Sequence, residues 1–105
     1  MSVVLEITNG KNLVIDEAIT LAEVAGDDLG VAFYYAPNTN KYIVYLTKKS
    51  EYQTIREAVT GLPADIVDIA VEDFLGGNYH PVFKDALALA GANDPYFEKF
   101  TVDRF

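Results

Sequence analysis

Hydrophobic positions crowd most densely between Gly30 and Lys49, where two runs rich in β-branched and aromatic residues flank Pro37-Asn38-Thr39-Asn40. Turn formers between two such runs specify a β-hairpin with a four-residue loop. Pairing Ala36 with Lys41 sets Tyr35 opposite Tyr42, Phe33 opposite Val44 and Val31 opposite Leu46. All six share one face, because alternate residues of a strand point the same way. The other face carries Ala32, Tyr34, Ile43 and Tyr45, so it is apolar as well. A hairpin greasy on both sides needs two covers, and the second one is the open question in this sequence.

Around the hairpin the pattern predicts shorter elements. Val3 to Thr8 reads as a strand, Asn9-Gly10 as a tight turn and Lys11 to Ile15 as the return strand, because Asn-Gly suits the positive φ angles of a type I′ turn. The competing reading makes Asn9 to Asn12 a loop and starts a helix at Leu13. Asp16 stands where an N-cap belongs, Ala18, Ile19, Leu21, Ala22 and Ala25 recur at helical spacing, and Gly26 is a natural stop. Ser50 to Gln53 matches a capping box, which predicts a helix through Ile55, Ala58 and Val59 to Gly61. Pro63 opens a third helix over Ala64 to Leu75, ended by Gly76-Gly77. Pro81 opens a fourth, to Gly91, and Asp94-Pro95 a short last turn or helix. The expected fold is α+β, a four-stranded antiparallel sheet made of two hairpins in the order β-β-α-β-β-α-α-α, with helices mainly on one face. If Asp65 to Val71 were a strand and Leu13 to Ala25 all helix, the plan would become ferredoxin-like βαββαβ with C-terminal helices.

Length and composition narrow the picture. A chain of 105 residues is expected to be a single globular domain spanning 1–105. No cysteine is present, which excludes disulfides, thiolate catalysis and cysteine-ligated zinc. No apolar run approaches the ~20 residues of a membrane span, and the opening Met-Ser-Val-Val-Leu-Glu has no basic segment ahead of an apolar one. The expectation is a cytoplasmic protein with no membrane association. The formal charge is -8, with five bases against eight acids up to residue 62 and three against eight beyond it. Such a surface repels phosphate backbones, so direct nucleic-acid binding is not expected. The charge serves solubility, or it presents an acidic face to a basic partner.

Candidate chemistry is sparse. His80, the lone histidine, precedes a helix in the Gly76–Pro81 loop, where a general base oriented by Asp73 or Asp85 could sit. A histidine in that position more often caps or packs. Asp65, Asp68 and Glu72 form one stripe if their segment is helical. A single stripe cannot encircle a cation, so it reads as a solvated face. There is no phosphate loop, no Gly-x-Ser-x-Gly and no set of residues that calls for a metal or other cofactor. What stands out is aromatic: seven tyrosines and six phenylalanines. Tyrosine suits interfaces, since its ring buries area while its hydroxyl still finds a partner.

A small acidic cysteine-free domain without catalytic motifs is similar in general look to accessory proteins of phages and bacterial mobile elements. The expected function is a non-enzymatic interaction protein, self-associating or binding a protein partner. Its expected contact residues are Tyr34, Ile43 and Tyr45 on the hairpin and Tyr96, Phe97, Phe100 and Phe105 near the C-terminus. Two alternatives stand beside it: a small-molecule binder with a tyrosine-lined pocket between the sheet and the C-terminal helices, and an enzyme using His80 with a nearby carboxylate.

Overall fold

In the computed structural model, which describes residues 2–8 and 10–100, the hairpin at the centre of the sequence is the centre of the sheet. Its strands β4 (Leu29–Ala36) and β5 (Lys41–Lys49) pair in the expected register, Tyr35 with Tyr42 and Phe33 with Val44. The Thr39 N–H donates to the Ala36 carbonyl across the turn, and Asn40 takes a positive φ of 52°, which asparagine tolerates better than most residues. The chain is α+β, with a four-stranded antiparallel sheet and helices on one face of it.

The sheet's outer strands are not those the spacing predicts. Asp16–Ala25, expected as a helix, turns at Glu17 and then runs as strand β3 (Ile19–Ala25) beside β4. The helical look has a cause: a β-bulge between Thr20 and Ala22 makes neighbours Leu21 and Ala22 both buried, which breaks strict alternation. Ser50–Gly61, expected as a helix, is strand β6 (Thr54–Gly61), paired with β5. Ser50 Oγ does accept a bond from the Gln53 N–H at 3.2 Å, the bond a capping box begins with, but here it closes the turn between two strands. Val59 packs with the helices and Ala58 on the opposite side, so apolar residues stand next to each other where an alternating strand would have one. The sheet order is therefore β3-β4-β5-β6, and the ferredoxin-like plan does not occur.

Helix α1 (Pro63–Ile69) starts at Pro63 as expected and widens into a π turn, Ala70–Phe74, in which the Leu75 N–H reaches the Ala70 carbonyl. Gly76 and Gly77 end it at φ +67° and +85°, a conformation that glycine adopts without strain. Helix α2 (Pro81–Asn93) and the short α3 (Pro95–Glu98) follow. Ile66, Val67, Phe83, Leu87 and Phe97 lie from these helices on Leu46, Val44 and Phe33, whose ring meets Phe83 at 5.8 Å and Phe97 at 5.1 Å. Each such full burial contributes about 1.5–3 kcal/mol.

The second cover is the N-terminus. Strands β1 (Val3–Leu5) and β2 (Leu13–Ile15) form a separate two-stranded ribbon instead of joining the main sheet. Leu5 and Ile15 bury themselves with Ala32, Tyr34, Ala36 and Ile43, while Val4 and Val14 face outward. Asn9 lies outside the described residues, but the pairing of Leu5 with Leu13 leaves all of 6–12 as the connection, not a two-residue turn. Those residues are used elsewhere. The Thr8 N–H donates to the Arg56 carbonyl at 3.0 Å, the Arg56 N–H donates to Thr8 Oγ1 at 2.8 Å, and the Tyr45 hydroxyl donates to the Glu6 carbonyl at 2.6 Å. The ribbon thus crosses the sheet and is tied to the free edge of β6. On the other edge, the bulged Leu21 carbonyl accepts from Asn93 Nδ2 at 2.8 Å.

Candidate functional site

At the hairpin-tip end of the sheet, the layer of helices runs out and a cleft of about 310 Å³ remains, lined by Tyr35, Asn40, Tyr42, Leu62, Pro63 and Tyr96. Its floor follows from the register: Tyr35 and Tyr42 are the last cross-strand pair but one before the turn, with rings 4.8 Å apart. Gly61, paired with Tyr42, has φ +156° and swings the chain out of β6, so that Leu62 and Pro63 form one bank. Helix α3 supplies the other bank, Tyr96, whose ring stands 6.3 Å from that of Tyr42 and nearly edge-on. Leu62 and Tyr96 are 61% and 66% exposed, which is high for side chains of this size and chemistry.

Hydrogen bonds fix the floor. Tyr35 donates its hydroxyl to Asn40 Oδ1 at 2.6 Å, and Tyr42 donates to Asp94 Oδ2 at 2.9 Å. The other oxygen of Asp94 accepts the Tyr96 N–H at 2.8 Å and caps α3, so one carboxylate positions two of the three tyrosines. Burial, and then the bond to Asp94, push the Tyr42 phenol well above its ordinary value. It stays neutral and acts as a donor. The side chains lining the cleft offer tyrosine rings, one amide and the apolar bank of Leu62 and Pro63.

The residues singled out from the sequence are scattered. Tyr96 lines the cleft, Phe97 is wholly buried in the core, Phe100 is half-buried against it, and Phe105 lies outside the described residues. Tyr34 and Ile43 are 6% and 2% exposed beneath the ribbon. The hairpin face they share is therefore not a free surface, because the chain covers it with its own N-terminus. Tyr45 is half-buried at the ribbon's margin. Burial first, then the nearby Glu23 and Tyr45, raise the Tyr34 phenol above its usual value. Asp65, Asp68 and Glu72 are exposed along α1 and the π turn. Among the described residues, no three His, Asp or Glu side chains come together as metal ligands would.

His80 caps α2: its Nδ1 accepts the Val82 N–H at 3.1 Å, and Nε2 lies 3.5 Å from Asp28 Oδ1. Neither Asp73 nor Asp85 is its partner. In this arrangement the imidazole serves as the N-cap of α2. Tyr35 and Tyr42 lie on the expected face, where Tyr42 is buried in the core and Tyr35 packs against it; Pro63 and Asp94 mark helix starts, and nothing in the sequence reading singles out Leu62. A signal did exist, in a tyrosine pair placed at the end of a sheet and an apolar Leu-Pro step straight after the last strand. Among the described residues, no helix is long and apolar enough to cross a membrane. No protein-family model, no curated protein and no solved structure matches the chain, so the cleft is read from its own residues alone.

Proposed function

We propose that the chain is a non-enzymatic interaction protein that holds a protein partner in the cleft at the hairpin-tip end. The observation that carries this reading is the meeting of Tyr35, Tyr42 and Tyr96 with the exposed Leu62, on walls already fixed by Asn40 and Asp94. Fixed walls lower the ordering cost of binding, and tyrosines are enriched at interface centres. The test places a photo-crosslinking residue at position 96 or, at the far end of the sheet, at the 90% exposed position 52. In cells of the native host, position 96 should give one discrete adduct, identified by mass spectrometry, that position 52 does not. Equal adducts from both positions, or none from 96, would refute the reading.

A further inference from the structure

The walls of the cleft also limit what can enter it. The side chains lining it are aromatic, aliphatic or amide, and none is basic. Two carboxylates stand behind residues at the cleft: Asp94, which accepts the Tyr42 hydroxyl, and Asp65, whose Cβ comes within 3.9 Å of where a Cβ on Gly61, the residue before Leu62, would be. Neutral phenol rings present a negative face to a cation, and nearby carboxylates strengthen that attraction. Elsewhere the chain makes the same kind of contact internally: the Lys99 ammonium lies 5.2 Å over the Phe100 ring and that of Lys48 6.0 Å over Phe74. The formal charge of -8 adds a long-range pull on anything basic.

Resting on the interaction reading above, we infer that the cleft takes the guanidinium of an arginine side chain presented by a basic protein partner. A planar cation can stack on the ring of Tyr96, the most exposed of the three tyrosines, and its N–H groups, which point outward in its own plane, can reach toward Asp65 and Asp94. Leu62 and Pro63 would cover the aliphatic part of the same side chain. A neutral side chain of equal shape would lose both the ring attraction and the carboxylates.

The test is an NMR titration of the full chain with Gly-Arg-Gly amide, with its citrulline counterpart, which keeps the shape and loses the charge, and with tetramethylammonium. The arginine peptide should shift the amides of Tyr42, Gly61, Leu62 and Tyr96 saturably, and the citrulline peptide should bind about tenfold more weakly. Tyr96→Ala should weaken arginine binding severalfold without loss of fold, as Tyr96 is mostly exposed; Leu62→Ala is a second variant that serves the same purpose. Citrulline binding as tight as arginine would overturn the cation while leaving the docking cleft standing. Tetramethylammonium binding as tightly as the peptide would replace a partner's side chain with a small free cation. No saturable shift, or shifts spread over every acidic surface, would overturn the inference, and the crosslinking result would then judge the interaction reading separately.

Discussion

Ile43 and Val44 are neighbours on β5, 2% and 0% exposed, and burial alone would rate an aspartate at either position as equally damaging. The two covers say otherwise. Val44 lies under the helices in the main core, and water reaches it only if α1, α2 and α3 lift away. Val44→Asp loses about 1.5–3 kcal/mol of burial and adds the larger cost of an unpaired buried charge, against a total stability of ~5–15 kcal/mol. It should not fold. Ile43 lies under the ribbon, held by the full burial of Leu5 and Ile15 and the partial burial of Val3 and Leu13. Counted as three full burials, these give about 4.5–9 kcal/mol gross. Ordering the strand backbone at about 1–2 kcal/mol per residue offsets an amount of the same size. The cost of Ile43→Asp is therefore capped near the small net free energy of docking the ribbon, since undocking wets the charge. That variant should keep a cooperative urea transition by circular dichroism, at a lower midpoint. Hydrogen exchange should show the Val4 and Val14 amides unprotected while those of Val44 and Leu46 stay slow. If Ile43→Asp is as unfolded as Val44→Asp, or if the ribbon amides stay protected in it, the ribbon is not a separable cover.

Two further predictions concern titration and close packing. Tyr34 and Tyr42 hold their protons above the ordinary tyrosine value of about 10, so the unfolded chain releases them first. Their stabilising effect is complete below about pH 10 and fades as pH rises through the raised folded values; urea midpoints should fall between about pH 8 and about pH 11, and Tyr42→Phe should fall less, whereas an identical fall would contradict the assignment. A Cβ on Gly26 would stand 2.7 Å from Val82 Cγ2, so Gly26→Ala should cost about 1–3 kcal/mol. In a Val82→Ala background most of that loss should disappear, and an unchanged loss would mean that the contact with α2 is not its cause.

The parts of the fold legible in the sequence are those where one local cause acts alone. The hairpin from Val31 to Leu46 pairs as its turn formers and facing aromatics indicate. The helices opened by Pro63 and Pro81 begin where proline allows. The misreadings come where a distant cause changes a local pattern. Alternation in β3 is broken by a bulge at Leu21, whose carbonyl is satisfied by Asn93, far along the chain. In β6, Ala58 and Val59 are both apolar because each faces a different cover, and side by side they imitate one helical stripe. The hydrogen bond from the Gln53 N–H to Ser50 is compatible with either structure. The site follows the same rule. Tyr96 was legible as a surface aromatic, but the cleft exists only because Gly61, Leu62 and Asp94 bring three separate elements to one end of the sheet.

The tie between Thr8 and Arg56 has a bearing on how this protein ages and fails. An open strand edge invites another chain to pair with it and seed an ordered fibre. The edge of β3 is spoiled permanently by its bulge, but β6 is guarded by a short stretch of peptide that also leads into the ribbon. A proteolytic nick between Glu6 and Asn12, or a bulky fusion that pulls the N-terminus aside, would strip the guard from β6 and uncover Tyr34 and Ile43 in the same event. The peptide around Thr8 thus serves two purposes at once, closing part of the β6 edge and leading into the cover over Tyr34 and Ile43.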